Sequence, residues 1–336
     1  MRAATPASAA SVSPVQGSYT EPVGGPPRLR RFSWRWWAHS WRDRPLWMLL
    51  PATLALLLIS IAPVLLMVWL SFLNLTVSTL RQFVTAPFYG LQNFVDAFTE
   101  PSSLGVTLGW SIFISFAFSL MATVLTAPIG LIAAMSVHNR FNGRGLVRAI
   151  YLLPYIIPGI VTALMARIVF MNNSGLVDKV LGGLGLISHN TYWLLGPHAF
   201  WAMELTELWS SWPFIYLMAL AGLQAIPIEQ LESSALDGAG AWQRLRHIVL
   251  PQLSNVLKLA VLLATLYHFA NFTLVFVMFG SPPPAGAEVL PISMYYNAFD
   301  FFNFGLAAAI AVITVIILII PGYVYLRSAR LAKMEA

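Results

Sequence analysis

Two sets of residues in this 336-residue chain have types and spacings that suit chemistry. In the first, Glu207, Ser211 and Phe214 fall at i, i+4 and i+7, with Glu204 one turn earlier and Ser210 adjacent. A helix would place them on one face. Tyr267, His268 and Asn271 cluster within one turn of a later apolar stretch. A carboxylate, hydroxyls, an amide and aromatic rings are what a sugar or polyol needs: hydrogen bonds to its OH groups and a ring to stack on. Structural readings compete. Ser210 and Ser211 serve equally as small helix-packing residues, and His268 as a partner for a neighbouring carbonyl. Arg167 with Glu204 reads as an ion pair or as snorkelling side chains near the outer ends of their spans rather than as substrate contacts.

The second set lies in the polar segment Leu223 to Gln252. Pro227 suits the first turn of a helix, and Glu229 and Glu232 then lie near the positive end of its dipole. Ile228, Leu231 and Ala235 make an apolar stripe at i, i+3 and i+7. Asp237-Gly238 supplies turn chemistry, with Gly238 free to take the positive φ of a C-terminal cap. A second short helix, Ala241 to Val249, is expected to end before Pro251. Two short helices at an angle form a knob suited to docking in a partner's cleft. The alternative is an amphipathic loop lying on the bilayer.

Bond-making chemistry has little support. The chain has no cysteine, which removes disulfides, thiolate metal sites and thiol nucleophiles. No lysine follows a glycine, so a GxxxxGK[ST] phosphate loop is absent. The six histidines are scattered without metal-ligand spacing, and no GxSxG elbow occurs. No catalytic residue, metal site or bound cofactor is expected.

The elements that must position these residues follow from composition. Hydrophobic residues make up 58% and charged residues 10%, against about 25% charged in a soluble domain. With a mean hydropathy of +0.73, the chain reads as an all-α polytopic membrane protein rather than a soluble enzyme or a disordered chain. Six stretches reach spanning length: Leu46 to Leu73, Val106 to Met135, Ala149 to Met171, Ala199 to Gly222, Val256 to Phe279 and Phe304 to Leu326. Ser211 and Tyr267 then lie roughly 16–18 Å from a span end, near the midplane. Sixteen of the 19 basic residues fall before span one, after spans two and four, or at the C-terminus. The positive-inside rule therefore puts both termini in the cytoplasm. The domains read as a tail over 1–45, a permeating domain over 46–330 that includes the 223–252 loop, and a short C-terminus over 331–336. Residues 1–27 are rich in Ala, Ser, Pro and Gly and read as disordered. In residues 31–45, Arg alternates with Trp34, Trp36, Trp37 and Trp41. That pattern suits membrane lipid headgroups rather than nucleic acid.

The 223–252 segment resembles the EAA loop of binding-protein-dependent ABC importer permeases. Glu232-Ser233-Ser234 is followed by three residues, Gly238, nine residues and Ile248-Val249-Leu250-Pro251. The serines stand where the pattern has alanines, and they keep the small size. Tyr89-Gly90-Leu91-Gln92-Asn93-Phe94, Arg148 with Leu152 to Pro154, and Leu220 to Pro227 resemble further segments of the carbohydrate-type, MalF/UgpA-like group. Ser281 departs from that group's usual Gly-Gly-Pro. The likeness covers about residues 46–330.

The resemblance implies a six-helix type I importer domain in a bacterial inner membrane. It implies coupling to a separate ATPase dimer through Glu232, Ser233, Ser234, Asp237, Gly238, Ile248, Leu250 and Pro251. ATP and magnesium would sit on that ATPase. A second permease, expected to be a different chain, would complete the path, and an extracytoplasmic binding protein would deliver a carbohydrate or related polyol. The alternative is an ion-coupled secondary transporter. It calls for intramembrane carboxylates or broken helices matched between repeats, and Glu204 and Glu207 have no such counterpart.

Overall fold

The computed structural model describes residues 46–100, 105–187 and 191–334. The tail over 1–45, with its Arg/Trp segment, lies outside the described residues. By its internal contacts the chain divides into two units, Met1–Leu58 and Ile59–Ala336. The first contributes helix α1 (Leu46–Leu56). The second opens on a π-helical turn ending at Ile61 and continues as α2 (Ala62–Leu70). It then holds α3 (Gln92–Thr99), α4 (Leu108–Ser136), α5 (Arg144–Ile156), α6 (Gly159–Val169) and α7 (Leu176–Gly183). After these come α8 (His198–Gln224), α9 (Ile228–Leu236), α10 (Ala241–Arg244), α11 (Leu250–Phe269), α12 (Phe272–Phe279), α13 (Leu290–Phe299) and α14 (Phe304–Met334). Extended pairing among the described residues is limited to isolated bridges at Leu73–Phe88 and Thr76–Asn303.

Among the described residues, four helical stretches are long and apolar enough to cross a bilayer: Leu49–Leu70, Leu108–Ser136, Ala241–Phe279 and Phe304–Arg327. The third expected span, Ala149 to Met171, is instead two helices bent by 86°. The break falls at Ile157, which is extended (ψ 128°), before Pro158. Proline disfavours the helical region in the residue before it and brings no N–H of its own, so the ladder stops there. α8 covers the fourth expected span and turns by 78° into the helix that follows. Counting each bent pair as one span gives six. The last helix continues to Met334, past the expected boundary at 330.

Small residues set the helix spacing. A Cβ at Gly130 of α4 would stand 2.7 Å from the Tyr216 backbone nitrogen and 2.7 Å from Ile215 Cβ on α8. Those two helices therefore touch backbone to side chain, the close approach that glycine allows in membrane bundles. One apolar cluster joins α4, α6, α8 and α12 through Phe118, Ala163, Ala202, Met203 and Val275. A second joins the far ends of α4 and α8 to the 223–252 segment through Ala134, Tyr216, Leu223 and Leu253. Large side chains on the outward faces, such as Phe113, Leu120 and Ile168, are exposed. That suits hydrocarbon as the solvent.

Candidate functional site

The knob is built by local signals. Pro227 stands immediately before α9, which it enters with ψ 129°. At the other end Gly238 takes φ +80°. Its N–H bonds Ala235 O at 3.2 Å, and the Ala239 N–H bonds Ser234 O at 3.0 Å. These paired bonds form a Schellman cap, which a residue with a Cβ adopts only at a cost. Gly240 N–H then donates to Gln243 Oε1 at 2.9 Å and starts α10.

The second short helix does not stop before Pro251. It widens into a π-helical turn at Leu245–Val249 and runs on into α11, with Pro251 in its first turn. The wider turn relaxes the hydrogen-bond ladder where proline has no N–H to give. Gln252 Nε2 ties the two arms by donating to Gln230 Oε1 at 2.6 Å. A cavity of about 360 Å3 lies between the arms, lined by Ser233, Ser234, Asp237, His247, Ile248 and Pro251. Glu232, Ser233, Asp237 and Gly238 are exposed, and Leu250 is half-buried. Leu231 packs on the inner cluster, but Ala235 is exposed, so the apolar stripe is narrower than its spacing implied.

Beside the knob, two guanidiniums close the end of α4. Arg144 Nε donates to Val137 O at 2.8 Å, and Arg148 Nη2 donates to the same oxygen at 3.2 Å. Cations at a helix C-terminus satisfy its last carbonyls and oppose its dipole. Burial, and then the charges of Arg144 and Arg148, lower the pKa of the neighbouring His138.

The mid-bundle set is brought together, but as a closed contact. Asn271 Nδ2 donates to Glu207 Oε2 at 2.7 Å, so the two side chains meet directly. Glu207 is 2% exposed. Asn271 sits at the break between α11 and α12, where its Oδ1 caps α12 by accepting from Leu274 N–H at 3.2 Å. His268 Nε2 lies 3.5 Å from Glu207 Oε1, and its Nδ1 lies 3.1 Å from Thr123 Oγ1. Thr123 reaches Thr265 at 3.2 Å, and Ser119 Oγ donates to Thr265 O at 2.8 Å. The carboxylate thus meets His268 of α11 and Asn271 at the α11–α12 break, and α4 supports His268 from behind.

The remaining members of the set separate from this contact. Ser211 Oγ and Ser210 Oγ donate to their own helix at Glu207 O, at 2.7 and 3.3 Å. Phe214 packs with Ile215, Ala260 and Ala264. Tyr267 is 64% exposed and meets His268 edge-on. Of the two readings offered for Arg167 and Glu204, ion pair or snorkelling, the ion pair does not form among the described residues. Arg167 lies on an exposed face of α6, while Glu204 is 1% exposed and neither of its oxygens has a hydrogen-bond partner.

Two features escaped the sequence reading. Ser111, Ser115, Ser119 and Thr123 form a buried row of hydroxyls, one per turn along α4. Their four-residue spacing was the available signal. At the end away from the knob, Glu288 accepts from Ser111 Oγ at 3.2 Å and from the Tyr296 hydroxyl. Nothing local in the 280–303 loop marks Glu288 as buried.

Comparison with known proteins identifies the family. Residues 126–332 match the family model for the binding-protein-dependent transport system inner membrane component. The trehalose/maltose transport system permease protein MalF of Thermococcus litoralis is 31% identical over 287 residues, covering 85% of this chain and 93% of that protein. The sulfoquinovosyl glycerol transport system permease protein SmoG of Agrobacterium fabrum is 30% identical over 288 residues, covering 84% and 89%. A crystal structure of a bacterial ABC transporter involved in import of the acidic polysaccharide alginate aligns with TM-score 0.70 at 21% identity, over 87% of this chain and 99% of that one. That match speaks for the fold. The family model spans more than half of the chain, and two relatives at 30% identity or more each match over four-fifths of it. The chain therefore belongs to the family of binding-protein-dependent transport system inner membrane components, the multi-pass permease subunits of ABC importers.

Proposed function

We propose that this permease carries a carbohydrate or related polyol and couples to a separate ATPase dimer through the 223–252 knob. The observation that carries the coupling is the Schellman-capped turn at Gly238, which holds Glu232 and the Ser233–Asp237 cleft outward. A rigid, exposed knob at the end of a 27-residue helix can pass movement of a docked partner into the bundle. ATP and magnesium belong to the partner, and this chain performs no hydrolysis. A second permease, a different chain, completes the path, and an extracytoplasmic binding protein delivers the substrate. Both termini and the knob face the cytoplasm, as the distribution of Arg and Lys indicates.

The carbohydrate assignment is supported by the relatives named for trehalose/maltose and sulfoquinovosyl glycerol transport. Within the chain, the groups available to sugar hydroxyls are Tyr267, which is exposed, and Asn271 with Glu207 behind it. Ser210, Ser211, Phe214 and His268 support that surface from within. The binding protein is supported by an alginate transporter, solved with a pentasaccharide-bound periplasmic protein, that shares the fold.

The test is co-purification of the ATPase with this chain in mild detergent. Glu232→Lys reverses an exposed charge on the knob and should lower ATPase recovery without changing membrane insertion. Equal recovery with wild type and variant would remove the docking assignment. Nucleotide turnover by the repurified chain alone would remove the permease reading itself.

A further inference from the structure

The end of the bundle opposite the knob holds a cavity of about 250 Å3. Its walls come from α3, the start of α4, α13 and the first two turns of α14. The polar part of the lining is Glu100, Glu288, Ser293, Asn297 and Asn303, and no lining residue is basic. Three of these side chains are more than nine-tenths buried: Glu288 at 1%, Ser293 at 3% and Asn297 at 9% exposure. Asn297 Nδ2 donates to Ser293 O at 2.8 Å, and no hydrogen bond reaches its amide oxygen among the described residues. Leu108, Leu306 and Ile310 make an aliphatic wall, and Phe301 is a half-exposed ring at the side.

The surface around the cavity is acidic as well. Glu100 is exposed, Asp96 stands one turn earlier on α3, and the exposed Asp300 follows α13. Tyr89 registers the same field. Burial first, and then the negative charges of Asp96 and Glu100, raise its phenol above the ordinary value.

These features narrow the occupant. Two carboxylates and an unengaged amide oxygen favour a cation that donates hydrogen bonds. The aliphatic wall and the ring leave a bare metal ion much apolar surface to face, and they suit the methylene stem and flat head of a basic side chain. An arginine fork can engage a carboxylate and an amide oxygen while stacking on an aromatic ring. The cavity opens at the end of the bundle away from the knob, which the proposed orientation puts outside the cytoplasm, where a binding protein would dock.

We propose that this cavity seats an arginine or lysine side chain of the extracytoplasmic binding protein, with Glu288 at its floor and Glu100 at its rim. The proposal rests on the permease reading above. It assigns the acidic rim a part in steering the encounter and Glu288 a part in holding the docked partner.

The complete importer in lipid nanodiscs, titrated with its substrate-loaded binding protein, provides the test. Glu100→Gln should raise the binding-protein concentration needed for half-maximal ATPase stimulation roughly tenfold and flatten its salt dependence, with the maximal rate unchanged. Half-saturation and salt dependence equal to wild type would overturn the proposal. Glu288→Gln risks disturbing the Ser111 and Tyr296 contacts, so a crosslink carries the second arm. The chain has no cysteine, so Glu100→Cys is its sole thiol. Single cysteines placed in turn on the binding-protein surface should give a disulfide predominantly from one arginine or lysine position. Crosslinks arising only from acidic or apolar positions, or none at all, would sink the assignment. A wild-type importer that no binding protein stimulates would instead count against the permease reading.

Discussion

The knob and the Glu207 contact are both polar, yet they are held in opposite ways. Every bond that shapes the knob's turn joins residues within a dozen positions, apart from the Gln252–Gln230 tie. Its outer side chains lie open, with Leu236 90% and Trp242 68% exposed. The Glu207 contact draws on Thr123, His268 and Asn271, which lie 64 to 145 positions apart in sequence for the bonds concerned. It is almost sealed from solvent. A turn fixed by backbone conformation can fail in function while the bundle stays folded. A buried contact between distant helices cannot be removed without loosening the bundle.

The largest expected effect is on the knob. Gly238→Val forces a β-branched residue to positive φ and should reduce binding-protein-stimulated ATPase of the assembled importer to background. Its thermal unfolding in detergent should stay near wild type. A fall in Tm as large as that of a core variant would erase the contrast between the two regions. Next is Gly130→Ala, whose methyl would meet the Tyr216 backbone at 2.7 Å. Overpacking there should cost about 3 kcal/mol, read as lost stability before any loss of docking.

Glu207→Ala leaves the Asn271 amide and His268 without their carboxylate and should destabilise by about 2 kcal/mol. Asn271→Ala should cost less once Glu207 is already alanine. A double-mutant cycle showing strict additivity would mean the 2.7 Å contact contributes nothing. The smallest effect concerns His138. Burial and two guanidiniums hold it below its ordinary value of 6.5, so the folded chain binds this proton less readily than the unfolded chain. Its contribution is complete above pH 6.5 and is lost as pH falls through the lowered pKa. His138→Asn should flatten that acid dependence in a melting series. An unchanged pH slope would remove the assignment.

Legibility in the sequence follows the same division. The spans, the αL turn at Gly238 and the start of α9 were readable, because hydropathy, glycine and proline act over a few residues. Pro158 was equally visible, yet the 86° break at Ile157 was missed because the apolar run continues unbroken across it. At Pro251 the error ran the other way: a proline signalled a stop that a π-helical turn allowed the helix to pass. Spacing put the Glu207 set on one helix face and Asn271 in a cluster on a later helix, at a similar depth. That they touch, with no water between, depends on how closely α8 and the α11–α12 break approach. Ser210 and Ser211 suited either substrate contact or helix packing, and their hydroxyls bond the Glu207 carbonyl one turn back on their own helix. The approach of two helices is set by tertiary packing, which single-chain periodicity does not encode.

The missing side chain at Gly130 also has a mechanical meaning. Its contact at Ile215 gives α8 a pivot rather than a sliding surface. From Ile215 the helix extends roughly 14 Å toward the knob and roughly 26 Å toward His198. A rigid tilt about that pivot would carry the far end nearly twice the distance imposed at the near end, and in the opposite direction. Pro213 lies two residues from the fulcrum, where a missing backbone hydrogen bond makes bending easiest. A bend at Pro213 would shorten the stroke at the far end, so the leverage depends on the helix staying straight there. A helix that stayed straight would turn a short stroke at the knob into a longer one near the mouth, without changing its length.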